Sequence, residues 1–160
     1  MAHDHVPVAV EGSATSGVEF VPAQQLGVGK WLLLRSPLYA LQLAAGDTIQ
    51  MAENGAGVFE VVARGRNVAV HFYLPENQLD DPGATTCVET TITPQVVGLG
   101  GRLDGQTTGL LVYTIPIEAS FPVIEGIFAT ALDQFPGAQW QYTNVYDATT
   151  GEPLGWWQQP

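Results

Sequence analysis

Two apolar runs joined by a three-residue corner constrain the fold of this chain more than any other feature. The run Trp31–Leu43 and the run Thr48–Met51 flank Ala45-Gly46-Asp47. Gly46 can take a positive φ, and the Asp47 carboxylate can accept hydrogen bonds from nearby backbone N–H groups. We therefore expect a corner at which the chain turns from one strand into the next, as in a small β-barrel.

Short strands with tight turns are predicted on both sides of this corner. We predict strands at residues 18–21, 30–34, 48–52, 58–63 and 68–74. Asn54-Gly55 is a hairpin signal between the third and fourth strands, and Arg64-Gly65-Arg66-Asn67 has the composition of a second turn. The pattern predicts a small antiparallel β-barrel or curled sheet over residues 18–97.

A strand–helix–strand unit is predicted in the second half of the chain. Residues 109–117 are predominantly apolar and predict a buried strand that ends near Pro116. Ser120 is a candidate N-cap, and apolar residues recur at helical spacing from Val123 to Phe135. Residues 139–146 then alternate polar and bulky side chains. A crossover of this length makes its two strands parallel neighbours or next-but-one in one sheet. The predicted class is α+β, with a β-α-β half over residues 107–160.

The segments outside these units are predicted to be irregular or strand-like. Residues 1–17 are predicted to be a flexible N-terminal arm, although Val6, Val8 and Val10 alternate as in a short edge strand. Residues 75–85 have loop composition, 86–97 are strand-like with a break at Pro94, and 98–106 are a Gly-rich connection between the halves. The C-terminal Trp156-Trp157 pair is expected to pack one ring back onto the domain, with a partner-binding patch as the alternative.

Composition and charge limit the classes of partner and compartment. The 160 residues are 46% hydrophobic, and sixteen acidic side chains against five basic ones give a net charge of −11. Because such a chain repels phosphate backbones and anionic lipid, nucleic acid and membranes are poor partners. The acidity either keeps the protein soluble or steers a basic protein partner. Lone Cys87 excludes an intramolecular disulfide, and the sequence shows no signal peptide or membrane-spanning segment, so we expect a cytoplasmic protein.

The sequence contains no complete catalytic motif among those considered. His3 and His5 lie on the predicted arm, away from His71 on a predicted strand, and Cys87 has no adjacent base. The Gly27-Val28-Gly29-Lys30 run lacks the spacing and the following helix of a phosphate-binding loop, and Asp80-Asp81 has the composition of a solvated loop. We predict no catalytic residue, no metal site and no cofactor.

Several of these segments resemble one bacterial family. The runs Ser36–Ile49 and Val58–Arg64, the strand Leu110–Ile117 and Trp140-Gln141-Tyr142 are similar to the core and closing segments of domain-of-unknown-function family 4265. The resemblance implies a helix between the two halves, which residues 76–105 do not themselves predict. It implies no reaction and no catalytic residues, because the family has none established.

A binding site is predicted in the groove between the two halves. Concave sites tend to form where two units meet, and the residues expected there are Arg35, Tyr39, Arg64 and His71. We predict a non-catalytic binding or regulatory module for a small molecule or a protein. One alternative is an enzyme for a small anionic metabolite, with Arg35, Arg64 and Arg66 as anion clamps and His71 as acid or base. The other is an acidic inhibitor or immunity-type protein that binds a basic partner.

Overall fold

Within residues 3–10 and 17–159, which the computed structural model describes, the chain forms two antiparallel sheets and two α-helices. The first sheet follows chain order and contains β1 (His3–Val10), β2 (Gly17–Gly27), β3 (Lys30–Leu33), β4 (Thr48–Met51) and β5 (Phe59–Ala63). The second sheet contains β6 (Asn67–Tyr73), β7 (Arg102–Thr107), β8 (Leu110–Pro116) and β9 (Gln139–Tyr142), in the order β7-β8-β6-β9. The helices are α1 (Pro82–Gly98) and α2 (Phe121–Gln134). The predicted α+β class is confirmed.

The first sheet is open and does not close into a barrel. Alternate apolar side chains from its strands form one cluster, capped by Ala40 and Leu43 from the segment between β3 and β4. Strands β1 and β5 lie at opposite edges of the sheet, and Ala9 N of β1 donates at 2.8 Å to Gly57 O, which precedes β5. The closed form of the predicted barrel is therefore wrong, because these edge strands share no ladder.

Strand β6 belongs to the second sheet, whereas the sequence predicted it as a strand of the first half, residues 18–97. It pairs antiparallel with both β8 and β9, and Val68–Phe72 are buried without alternation. A strand covered on both faces is typical of the centre of a layered structure. Strands β8 and β9 flank β6 and run in the same direction, so the strand–helix–strand unit joins next-but-one strands.

Helix α1 covers residues 82–98, where the sequence predicted the end of a loop (75–85) and a strand (86–97). The Asp81 carboxylate caps the helix by accepting from Gly83 N at 2.9 Å, and Pro82 lies in the first turn, where its missing N–H costs nothing. Val88, Ile92 and Val96 recur every four residues and pack on the second sheet. The threonine and valine content indicated a strand, but threonine is accommodated in this helix. Four threonine hydroxyls donate to backbone carbonyls four residues back. The helix that the family resemblance implied is present.

Other boundaries also differ from the predictions. Residues 3–10 form β1, paired with β2, and are not a loose arm; residues 1, 2 and 11–16 and the His3 side chain lie outside the described residues. The predicted Gly-rich connection contains most of β7. Ser120 precedes α2 as predicted, but its φ is 73° and its side chain makes no capping hydrogen bond.

Trp156 packs back onto the domain, and its indole N–H donates to Asn144 O at 2.8 Å.

The long segment 34–47 joins the two sheets and sets up the groove between them. It connects β3 to β4 and lies against the face of the second sheet that the helices leave uncovered. Contacts from this segment to that sheet include Ser36 to Thr114, Pro37 to His71 and Gln42 to Thr143. Leu41 and Gln42 are the residues of this segment that line the clefts described below.

Candidate functional site

The Gly46–Asp47 corner has the predicted chemistry and is buried. Gly46 has a φ of 90°, and the Asp47 carboxylate accepts from Ala44 N at 3.0 Å and from Gly65 N at 2.9 Å. Arg64 Nη1 lies 3.1 Å from the same carboxylate and also donates to Gln42 O at 2.9 Å. Burial raises the pKa of Asp47, while the Gly65 N–H and the Arg64 guanidinium oppose that rise. These contacts tie the corner to the segments around it, so the corner is structural.

A second buried polar network was not found from the sequence. Thr114 Oγ1 donates to Asp104 at 2.5 Å, so the Ser36 hydroxyl, 2.6 Å from Thr114 Oγ1, donates to it. Ser36 Oγ in turn accepts from Ala45 N at 3.0 Å, and Ser36 N donates to Asp104 at 2.9 Å. Each hydroxyl proton has a structural acceptor, so this network holds segment 34–47 against β7 and β8. Its members are far apart in sequence, and no local pattern indicates them.

The structure does not bring the four predicted site residues together. Arg35 and Tyr39 are exposed, and Tyr39 N donates to the Glu19 carboxylate at 2.8 Å, beside Leu38 N and Ala40 N. His71 is 1% exposed and lies beneath segment 34–47. Arg64 is the member that lines the groove between the sheets.

His71 is held as a neutral imidazole. Its Nε2 lies 3.2 Å from Pro37 O, which can only accept, so Nε2 carries the proton and Nδ1 accepts from the Tyr73 hydroxyl at 3.2 Å. Burial lowers the pKa of His71, although the Pro37 carbonyl and the Glu19 carboxylate oppose the shift. Both ring nitrogens therefore have structural partners.

The lowered pKa of His71 predicts a loss of stability in mild acid. Because the unfolded chain gains this proton more readily than the folded one, the free energy of unfolding should fall below about pH 6.5, by at most about 1.4 kcal/mol per pH unit. Urea unfolding measured from pH 7.5 to pH 5 should show this slope in the wild type and a smaller slope in His71→Gln. Thr130→Gln, at an exposed position of α2, removes no titratable group and should keep the wild-type slope. An unchanged slope in His71→Gln would contradict the assignment.

Two neighbouring clefts adjoin, one beside the first sheet and one beside β9 and α2. The inter-sheet cleft, of about 500 Å³, is lined by Ala9, Leu41, Gln42, Val58, Phe59, Val61, Arg64, Ala148 and Thr149. The edge cleft, of about 470 Å³, is lined by Leu41, Glu125, Trp140, Gln141, Tyr142, Thr143, Tyr146, Asp147 and Ala148. Leu41 and Ala148 belong to both linings, so the two clefts adjoin there. We call the pair the groove.

The edge cleft is walled by aromatic rings that α2 supports. Trp140 stacks on Phe128 at a centroid distance of 5.2 Å and meets Tyr142 edge-on at 5.1 Å. The Tyr142 hydroxyl donates to Glu125 at 3.1 Å, and burial together with this carboxylate raises the pKa of Tyr142 far above its ordinary range. Polar–bulky alternation over residues 139–146 indicated the strand, but only the packing of α2 brings Glu125 beside it.

Metal-ligating clusters and membrane-spanning helices are both absent from the part of the chain that the structure describes. Among residues 3–10 and 17–159, no three His, Cys, Asp or Glu side chains are grouped so that they could hold a metal ion. Neither helix of the described chain has the length and apolarity required to cross a bilayer.

Fold and site together define a two-sheet α+β protein with an open groove between its sheets. The family model for a domain of unknown function, DUF4265, matches residues 19–137, and the chain belongs to that family. The chain is also similar to a solved structure described as a hypothetical protein from Neisseria gonorrhoeae, with 13% identity and a TM-score of 0.64. That match covers 89% of this chain and 95% of the other, and it shows the shared fold. No curated protein matches the chain.

Proposed function

We propose that this protein is a non-catalytic binding module of the bacterial cytoplasm whose ligand occupies the groove. The observation that carries the proposal is the continuity of the two clefts at Leu41 and Ala148. Each cleft has the volume of an ordinary small-molecule site, and the mixture of apolar, aromatic and few charged side chains is typical of such sites. The exposed free thiol of Cys87 fits a reducing compartment.

The polar groups that could suggest catalysis have structural partners. Asp47, Asp104 and His71 are buried and hydrogen-bonded to backbone or side-chain groups of the fold. Arg64 enters the groove from one end with one of its nitrogens already bonded to Asp47 and Gln42. These contacts support a binding role over an acid–base role.

A third cleft favours the alternative of an anionic ligand. Arg64 and Arg66 both line it, together with Trp156 and Gln159, in a volume of about 460 Å³. Arg66, however, already donates to Gln159 O at 2.7 Å, and Arg64 is paired with Asp47. An anion would have to compete with both partners in a chain of net charge −11, so we place the ligand in the groove.

Filling the groove tests the proposal. Ala148 is exposed at the junction of the two clefts, so Ala148→Trp should obstruct both while leaving the core unchanged. We expect fragments that bind the wild type in a nuclear magnetic resonance screen to lose at least about tenfold in affinity, equivalent to about 1.4 kcal/mol. Thr130→Trp, at an exposed position of α2 outside the groove, is the matched control.

Equal fragment binding by Ala148→Trp and the wild type would contradict the proposal. So would a screen in which no fragment perturbs the residues that line the groove. Loss of binding in both tryptophan variants would place the ligand elsewhere.

A further inference from the structure

The edge cleft combines aromatic rings with carboxylates. Trp140, Tyr142 and Tyr146 supply the rings, and Glu125 and Asp147 supply the charge, while no lysine or arginine is among its lining residues. The inter-sheet cleft, in contrast, has Arg64 as its charged residue. The two ends of the groove therefore differ in the sign of charge that they favour.

The two carboxylates of the edge cleft are fixed in place by hydrogen bonds. Asp147 Oδ1 accepts from Thr149 N at 2.8 Å and from Thr150 N at 2.9 Å, and these backbone bonds lower the pKa of its carboxyl. Glu125 Oε2 accepts from the Tyr142 hydroxyl at 3.1 Å. Both carboxylates belong to residues that line the edge cleft. The negative charge is thus preorganised.

Aromatic faces and carboxylates attract the same kind of ligand. A ring presents its negative quadrupole to a cation within about 6 Å of its centroid, and an organic ammonium group also gains from apolar contact with the rings. A bare metal ion would gain little from such walls, since it prefers a closer set of oxygen ligands. The net charge of −11 adds a field that draws cations toward the molecule.

We propose that the edge cleft binds the ammonium head of an organic cation, between the rings of Trp140 and Tyr146 and the carboxylates of Glu125 and Asp147. This inference rests on the proposed function, because it names the chemistry of the ligand at one end of the groove. The ammonium group belongs either to a small free amine or to a lysine side chain of a protein partner. The apolar stem of either ligand points toward Leu41 and Ala148.

A matched pair of probes separates charge from shape. Choline and 3,3-dimethylbutan-1-ol have nearly the same shape, but only choline is charged. Titrated into the labelled protein, choline should shift the resonances of residues 140–148 with an affinity at least about fivefold higher than that of the alcohol, in line with about 1 kcal/mol for a cation–ring contact. Equal affinities for the two probes at these residues would overturn the inference.

Four variants test the named side chains. Glu125→Gln and Asp147→Asn keep an acceptor oxygen for the hydrogen bonds described above and remove one charge each, so each should weaken choline binding by about twofold to fivefold, the effect of one exposed charge contact. Tyr146→Leu should weaken it by about threefold through loss of the ring, whereas Tyr146→Phe should not. Tyr146 is 50% exposed, so these variants should fold.

Controls and outcomes separate the inference from the proposed function. Asp133→Asn removes a charge from the exposed side of α2, and Phe20→Leu removes a 63% exposed ring from β2; both should bind choline as the wild type does. Nα-acetyl-lysine methylamide, which keeps the side-chain ammonium, is the probe for a protein partner. If it binds more tightly than choline, the ammonium belongs to a protein partner; if choline binds more tightly, the ligand is a small free cation. If 3,3-dimethylbutan-1-ol bound as tightly as choline and Ala148→Trp blocked its binding, the cation inference would be overturned, and the groove would remain the binding site. If neither probe nor any fragment shifted the resonances of the groove residues, both the cation inference and the proposed function would be overturned.

Discussion

Asp47→Asn is expected to lower the free energy of unfolding by about 3 kcal/mol, because it breaks a buried pair and leaves donors facing one another. Both oxygens of the carboxylate accept from donors: Gly65 N on one, and Ala44 N with Arg64 on the other. An asparagine side chain has one oxygen and one NH₂ group, so its NH₂ group must face the donors that one carboxylate oxygen accepted from. The substitution also leaves the largely buried Arg64 guanidinium without a carboxylate partner, with Gln42 O and the Trp156 ring as its remaining described contacts.

Urea unfolding at pH 7 measures this effect. Asp80→Asn removes the same charge from an exposed loop position and should change the free energy of unfolding by less than about 0.5 kcal/mol. A loss below about 1 kcal/mol in Asp47→Asn, on the scale of ordinary surface substitutions, would contradict the structural role assigned to the corner.

Phe128→Ala is expected to cost about 4 kcal/mol, since it empties a fully buried aromatic site. Phe128 lies between α2 and the second sheet, with ring centroids of Tyr113 at 6.0 Å, Phe72 at 6.3 Å and Trp140 at 5.2 Å. The expected loss has two parts: the favourable free energy of burying the ring, which is lost, and the cost of the cavity left among its neighbours. Because Trp140 stacks on this ring, the wall of the edge cleft should also loosen.

The control for this substitution lies on the same helix. Val123 is 48% exposed, so Val123→Ala should change the free energy of unfolding by less than about 0.5 kcal/mol. Broadened resonances for Trp140 in Phe128→Leu, which still folds, would report the looser wall. Similar losses for Phe128→Ala and Val123→Ala would contradict the placement of the core.

The features predicted correctly from the sequence are those that local chemistry determines. The positive φ of Gly46, the bond from Ala44 N to Asp47, the turn between β4 and β5 and the helix α2 all depend on residues close in sequence. Helix α1 was missed because threonine, valine and Pro94 outweighed the four-residue spacing of its buried residues. Strand β6 was placed in the wrong sheet because pairing with β8 and β9 is a long-range choice that the strand itself does not encode.

The candidate site was less predictable than the fold for the same reason. Arg64 was expected in the groove and lines it, because it follows β5 at the junction between the sheets. His71 was expected beside it, yet β6 turns this side chain beneath segment 34–47. The rings and carboxylates of the edge cleft come from α2, β9 and the segment after β9. Their grouping depends on tertiary packing and has no signature in any one stretch of sequence.

The central claim is that the groove between the two sheets is the recognition surface of this protein. Backbone amide shifts of the labelled wild-type protein, recorded against a fragment library, test it most directly. The account predicts that the perturbed amides cluster at residues 41–42, 58–64 and 140–149. A cluster around Arg35, Tyr39 and His71, with the groove residues unperturbed, would contradict it.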